Sequence, residues 1–300
     1  MTNFDFLLKR RELDSFSGVA VSSENLLHID TSACALNCRR AMELAVKWVY
    51  SADKELKKPY SDNLSVLMST KDFRELVGED IYRRMELVRK LGNSAAHDGK
   101  SVSLTEAETC LENLFIFLDF VCYCYIPGHK EQTFDKELLE LTAEEALNFV
   151  SEKRENEQGE NAKEEEVKEA HRNKKKLKEY VQKPIDLSEY RTRSIYVNLM
   201  LEDAGWIEGV NRQSDLELGG YNGDGKTTVA DCVLFGDDGI PLAIVESKYT
   251  FSEPSKGKKI AMRCADIIES SYGKRPIVFL SGGFDCEIIE DRHSKKRRIA

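Results

Sequence analysis

Apolar residues recur at helical spacing in three stretches of the first 130 residues. One stretch follows Asp30, which is suited to capping a helix, and a second covers Glu79–Leu91, where Gly92 predicts the helix end. The third begins at Ser103–Glu106, whose pattern is typical of a capping box. Because no alternating strand pattern competes here, we predict an all-helical domain over residues 1–130.

The next segment, residues 131–183, mixes both charges and contains few apolar side chains. Such a composition is typical of a solvated helix with i,i+4 ion pairs or of a partly disordered chain. The apolar heptad positions of a coiled coil are missing. We therefore interpret this segment as a charged helical linker.

The hydrophobic period changes after residue 184. A helix over Ser188–Ala204 that ends at Gly205 is followed by apolar, β-branched runs around a turn at Gly236–Gly239. The predicted strands are Thr227–Phe235, Pro241–Lys248, Arg275–Leu280 and Cys286–Ile289, with a helix over Glu253–Tyr272 between the second and third. Residues 184–300 thus predict an α/β domain around a small mixed sheet, and the whole chain an α plus α/β fold.

Composition and net charge restrict the cellular location and the functional class that we expect for the protein. None of the eight cysteines forms a C-x-x-C pair, which favours reduced thiols and a cytoplasmic location. No signal peptide is visible, and no apolar run approaches the roughly 18 residues of a membrane span, so no membrane partner is expected. The net charge of −9 disfavours a dedicated nucleic-acid-binding module. A negative charge is less unfavourable for a nuclease core, because carboxylates in such a core bind the metal.

Three charged residues near the ends of two predicted strands suggest chemistry. Glu246 and Lys248 lie two residues apart, so they share a face of one strand, and the neighbouring antiparallel strand can place Asp231 beside them. Burying such groups together is unfavourable unless something binds them, and Mg²⁺ prefers carboxylate, carbonyl and water oxygens. A structural ion pair at the edge of the sheet is the alternative interpretation.

The proposed roles follow from this arrangement. Asp231 and Glu246 would be metal ligands, and the carbonyl oxygen of Ser247 a third ligand. Lys248 would orient or help deprotonate the attacking water and stabilise negative charge in the transition state. We therefore expect Asp231, Glu246 and Lys248 to be the catalytic residues of a phosphodiesterase.

Longer segments carry a family resemblance. SEYRTRSIYVNLMLEDAGW, VADCVLFGDDGIPLAIVESKYT and YGKRPIVFLSGGFDCEIIED resemble the N-terminal nuclease domain of type I restriction enzyme R subunits, which has the PD-(D/E)XK fold. MTNFDFL, RRAMELAVKWVYSAD, PYSDNLSVLM and RKLGNSAAHDGKSVS resemble the helical domain that precedes this nuclease in one group of R subunits. The resemblance covers nearly the whole chain except the linker.

The resemblance implies a Mg²⁺-dependent DNA endonuclease. By this resemblance, Asp231, Glu246 and Lys248 fall on the metal-binding and catalytic positions of the family. Glu202 falls on an acidic position that completes the metal site, and Glu189 is the alternative for that position. The implied partners are DNA and the modification and specificity subunits of a type I complex. ATP would act only through a motor domain whose phosphate loop this chain lacks, so we expect a fragment of a longer R subunit or a truncated product.

One departure from the family pattern keeps a second hypothesis open. Many type I nuclease domains carry a Gln-x-x-x-Tyr element on the helix after the catalytic strand, where this chain has Ile260 and Cys264. The alternative function is therefore a non-catalytic assembly or interaction module with a degenerate nuclease fold.

A second motif lies in the helical domain. Asn93 and His97 resemble the R-N-x-x-x-H motif of HEPN-type ribonucleases, but Gly92 replaces the arginine that would stabilise charge. We therefore expect His97 and Asn93 to be structural rather than catalytic. The default role of the HEPN-like domain is assembly.

Overall fold

The computed structural model describes residues 2–97, 101–139, 173, 187–219, 227–247, 254–281, 286–289 and 297–299. The chain divides into two compact units, Met1–Ile185 and Asp186–Ala300, called here the helical unit and the sheet unit. Most of the predicted linker lies outside the described residues.

The described residues of the helical unit form helices and no strand, as predicted. Short 3₁₀ helices occur at Leu7–Lys9, Arg11–Leu13 and Glu137–Leu139. The α-helices are α1 (Asp14–Asn25), α2 (Thr31–Ala52), α3 (Leu64–Ser69), α4 (Lys71–His97) and α5 (Leu104–Tyr125).

Two helix starts were predicted correctly because their signals are local. The Asp30 carboxylate accepts a hydrogen bond from the Ala33 amide at 2.9 Å and caps α2. Ser103 and Glu106 form a reciprocal capping box at the start of α5. Each satisfies amide groups that have no partner within the helix.

The predicted helix end at Gly92 is wrong. α4 is interrupted at Gly78, whose φ is 73°, and then continues through Gly92 to His97. A methyl group at position 92 would lie 2.4 Å from the Cβ of Arg39 and 3.0 Å from the carbonyl oxygen of Ala35. Gly92 therefore allows a close approach of α4 to α2.

The core of the helical unit is built around α2, which packs against α1, α4 and α5. Trp48 of α2 makes edge contacts with Phe16 of α1 and Tyr125 of α5. Beyond α5, Phe134 packs edge-on against Phe115. Residues 131–139, the described start of the predicted linker, thus pack on the helical unit.

The sheet unit contains a six-stranded mixed sheet in the strand order β1-β2-β3-β4-β5-β6. β3 and β4 are parallel, and the other neighbouring strands are antiparallel. The strands are β1 (Arg212–Leu218), β2 (Thr228–Phe235), β3 (Pro241–Glu246), β4 (Ile277–Ser281), β5 (Cys286–Ile289) and β6 (Arg297–Ile299), with α6 (Leu187–Asp203) before β1 and α7 (Pro254–Tyr272) between β3 and β4. The order of helix, strands, helix and strand agrees with the sequence prediction.

Helices cover the two faces of this sheet. Val233, Ile244 and Val278 pack with Cys264 and its neighbours on α7. The alternate residues of the same strands, including Cys232 and Val245, pack with residues of α6. No helix in the described part of the chain has the length and apolar character needed to cross a membrane.

Candidate metal centre

The two predicted carboxylates lie on neighbouring strands. Cys232 pairs with Val245 in the antiparallel register of β2 and β3. One step further along this register, Asp231 stands opposite Glu246. Side chains at directly opposite positions of an antiparallel pair project to the same face of the sheet. The structure therefore brings Asp231 and Glu246 together, and these two residues are called here the acidic pair.

That shared face is the one covered by α7. Asp231 and Glu246 each lie two residues from a member of the α7-facing cluster, Val233 and Ile244. Burial raises the pKa of the Cys264 thiol of α7 to about 12, and the charges of Glu246 and Asp231 add to this effect. Both carboxylates are therefore close enough to α7 to act electrostatically on the same thiol.

Glu246 is the more deeply placed of the two acids. Its exposed fraction is 0%, whereas Asp231 is half-buried. A charged carboxylate removed from water needs compensation by hydrogen bonds or by a nearby cation. A buried carboxylate beside a second acid is suited to binding a cation, which lowers the repulsion between them.

The residue after Glu246 fixes the orientation of Asp231. The amide N–H of Ser247 donates to Oδ2 of Asp231 at 2.7 Å, and the Ser247 hydroxyl donates to the same oxygen at 3.2 Å. These bonds hold the end of β3 to β2 through the acid itself. The role predicted for the Ser247 carbonyl oxygen stays a prediction.

The chemistry of this donor set fits Mg²⁺. The ion prefers oxygen ligands and is commonly bound by one or two carboxylates, with water and substrate phosphate completing the shell. Asp231 and Glu246 would supply the two carboxylates. Among the described residues, no group of three or more His, Cys, Asp or Glu side chains is arranged to hold a metal, so such a site would depend on water or substrate oxygens.

The predicted metal ligand Glu202 makes an ion pair with a residue of β1. It lies on α6, where its carboxylate is 3.6 Å from the guanidinium of Arg212, a buried residue of β1. Arg212 also donates to Glu208 at 2.9 Å and to the carbonyl oxygen of Asn198 at 3.2 Å. Glu202 therefore belongs to an ion-pair network between α6 and β1.

Lys248 lies outside the described residues, and so does the side chain of Glu189 on α6.

In the helical unit, Asn93 is half-buried on the last turns of α4, and His97 ends this helix with its side chain outside the description. The contact of Gly92 with Arg39 explains why position 92 has no room for an arginine.

Asp215 is a feature that sequence patterns did not reveal. It stands opposite Asp231 in the register of β1 and β2, between the pairs Ser214–Cys232 and Leu216–Ala230. Its φ of 50° makes it the one non-glycine residue with a positive φ in the described parts of the chain. Such a conformation is uncommon for aspartate and interrupts regular pairing beside the acidic pair.

Comparison with known proteins bears on the helical unit. Residues 22–150 match the family model of a domain of unknown function, DUF4145. No curated protein and no solved structure matches the chain. Nothing in the family match connects the chain to type I restriction enzymes, and the sheet unit lies outside the matched residues. The helical unit therefore contains a DUF4145 domain match, and the resemblance of the sheet unit remains a prediction.

Proposed function

We propose that the sheet unit is a Mg²⁺-dependent endonuclease module that hydrolyses DNA phosphodiesters, of the kind found in type I restriction R subunits. The observation that carries this proposal is the placement of Asp231 opposite Glu246, with Glu246 fully buried on the face under α7. DNA as the substrate, and the modification and specificity subunits as partners, rest on the sequence resemblance.

The residues of the chain divide the work in this proposal. Asp231 and Glu246 would hold the cation, and the N–H and hydroxyl of Ser247 keep Asp231 in position for this. A bound Mg²⁺ supplies charge neutralisation at a phosphate oxygen and lowers the pKa of a coordinated water. Lys248, two residues after Glu246 along the chain, would orient the attacking water.

A non-catalytic assembly module is the second candidate function. It is favoured by Cys264, which is fully buried and occupies the position where related nuclease helices carry the tyrosine of their Gln-x-x-x-Tyr element. A side chain without solvent exposure cannot contact DNA. In this case the acidic pair would be a remnant of an ancestral site.

A plasmid assay separates these functions. Purified chain is incubated with supercoiled DNA and Mg²⁺, in parallel with Asp231→Asn, Glu246→Gln and Lys248→Ala. Asp237→Asn is the matched control, because it makes the same change at an exposed residue of the same hairpin. We expect nicking by wild type and by the control, and a loss of about a hundredfold or more in the other variants.

Two results contradict the proposal. Intact plasmid with wild type, together with no detectable metal binding, supports the assembly function. Equal nicking by wild type and Asp231→Asn shows that the activity does not depend on the acidic pair.

A further inference from the structure

Three cysteines of the helical unit meet in its core. Cys34 and Cys38 lie four residues apart on one face of α2, and Cys110 lies on α5, which packs against α2. The exposed fraction of each of the three is 0%, and each carries a free thiol. The Cys38 thiol interacts with the other two thiols and with the side chain of Ser23 on α1. Side chains of three helices therefore converge on the sulfur atom of Cys38.

The surroundings of Cys38 and Cys110 favour different protonation states. Burial disfavours a thiolate at Cys38, but its hydrogen bonds with Cys110 and Cys34 act in the opposite direction, and the pKa of the Cys38 thiol is lowered. The hydrogen bond with Cys38 raises the pKa of the Cys110 thiol well above its usual value, and burial adds to this effect. Because the thiolate is the nucleophilic form of cysteine, Cys38 is the member of this pair that reacts first with an oxidant.

A buried cysteine commonly serves as a small apolar side chain. Cys122 of α5 is an example, since burial and the nearby charge of Asp119 raise the pKa of its thiol. The contact between Cys38 and Cys110 differs from this case, because it places two thiols from two different helices side by side. A disulfide between them requires only that the two sulfur atoms approach each other, whereas separated thiols would need the main chain to move.

We infer that Cys38 and Cys110 form an oxidisable dithiol, at which a peroxide links α2 to α5 through a disulfide. In the first step the sulfur of Cys38 attacks a peroxide oxygen, the O–O bond breaks, and the leaving hydroxide is protonated to water. In the second step the Cys110 thiol attacks the sulfenic acid of Cys38, the S–O bond breaks, and a second water leaves. Two thiols thereby lose two electrons and two protons, and hydrogen peroxide is reduced to two molecules of water.

The position of this dithiol determines how fast it reacts and what the disulfide does. Because both side chains are buried, oxidation requires a local opening of the helices, so it is slower than at an exposed thiol. A Cys38–Cys110 bond closes a loop of roughly 70 residues, which restricts the unfolded chain and stabilises the folded helical unit. A Cys34–Cys38 bond would close a loop of only a few residues within α2 and would restrict the unfolded chain much less.

Peptide mapping and unfolding together test this inference. The full chain is reduced, desalted and treated with hydrogen peroxide, and the remaining thiols are alkylated in denaturant before proteolysis and mass spectrometry. Cys110→Ala is compared with Cys122→Ala, which removes another buried thiol from the same helix. We expect linked Cys38 and Cys110 peptides in the wild type and in Cys122→Ala. In a Trp206→Phe background, Trp48 fluorescence should show that oxidation raises the urea midpoint by about 1 M, and dithiothreitol should reverse this rise.

Two results would overturn the inference. One is a wild-type chain in which Cys38 and Cys110 both remain open to alkylation at peroxide concentrations that oxidise the half-buried Cys286. The other is a wild-type chain in which Cys38 is linked to Cys34 and the urea midpoint does not rise. Both results are read from the wild-type chain, so a failure of Cys110→Ala to fold would not affect them.

Discussion

Replacing Gly92 with alanine would add a methyl group where α4 crosses α2. The new Cβ would lie 2.4 Å from the Cβ of Arg39 and 3.0 Å from the carbonyl oxygen of Ala35. Favourable contacts between carbon atoms need about 3.5 to 4.0 Å. Neither atom can move away by rotation of a side chain, because the Ala35 oxygen belongs to the main chain and the Arg39 Cβ is bonded directly to it. The helices must therefore separate by about 1 Å.

The magnitude follows from two opposing effects. Alanine is favoured over glycine within a helix by about 1 kcal/mol. Overpacking a tight core costs about 1 to 3 kcal/mol, and here the main chain of a central helix must move. We expect Gly92→Ala to lower the free energy of unfolding by about 1 kcal/mol or more. Gly18 in α1 provides the control, since a Cβ there would meet nothing within 4 Å. Gly18→Ala should stabilise the protein by about 0.5 to 1 kcal/mol.

Urea unfolding measures both variants. Trp48 is 4% exposed and reports on the helical unit, and replacing Trp206 with phenylalanine removes the signal of the sheet unit. With an m-value of about 2 kcal/mol/M, a change of 1 kcal/mol moves the midpoint by about 0.5 M. The midpoint should fall for Gly92→Ala and rise for Gly18→Ala. A rise for both variants would refute the packing role of Gly92.

Three further predictions concern stability. Burial raises the pKa of Glu24 from 4.5 to about 7, with partial offset by hydrogen bonds from Asn3. The folded state then holds this proton more strongly, so stability falls as pH rises from about 4.5 through 7, by on the order of 3 kcal/mol. Glu24→Gln should remove this pH dependence of the free energy of unfolding, measured by urea titrations from pH 5 to 8. If the free energies of both proteins change with pH in the same way, the prediction is wrong. Ser103→Ala removes a capping box and should cost about 1 kcal/mol by the same unfolding assay; an unchanged midpoint would count against the cap. Arg212→Ala should destabilise the sheet unit by about 2 kcal/mol. This is less than the cost of breaking a fully buried ion pair, because the side chain of Glu208 is half exposed. Unfolding followed by Trp206 fluorescence measures the effect, and an unchanged transition would contradict the prediction.

The sequence predicts best those features that local contacts determine. The caps at Asp30 and Ser103 depend on residues three positions away, and both occur as predicted. The pairing of Asp231 with Glu246 was also accessible, because a short turn between two strands restricts their register. Such features need no knowledge of the rest of the fold.

Features that depend on distant contacts were missed. Gly92 resembles a helix stop, and the contact with Arg39 that explains it comes from another helix. β1 is largely polar, with only Leu216 and Leu218 as apolar residues, so it lacks a clear strand pattern. The ion pair of Glu202 depends on how α6 packs on the sheet, which the acidic residue alone does not reveal.

The proposed function requires that Asp231 and Glu246 share one divalent cation. Calorimetric titration of the full chain with Mg²⁺ tests it directly, without need for cleavage or for a partner subunit. We expect a binding isotherm for wild type and for Asp237→Asn that is lost or greatly weakened in Asp231→Asn and Glu246→Gln. Heat of binding that is unchanged when either acid is replaced, or absent from the wild type, would contradict it.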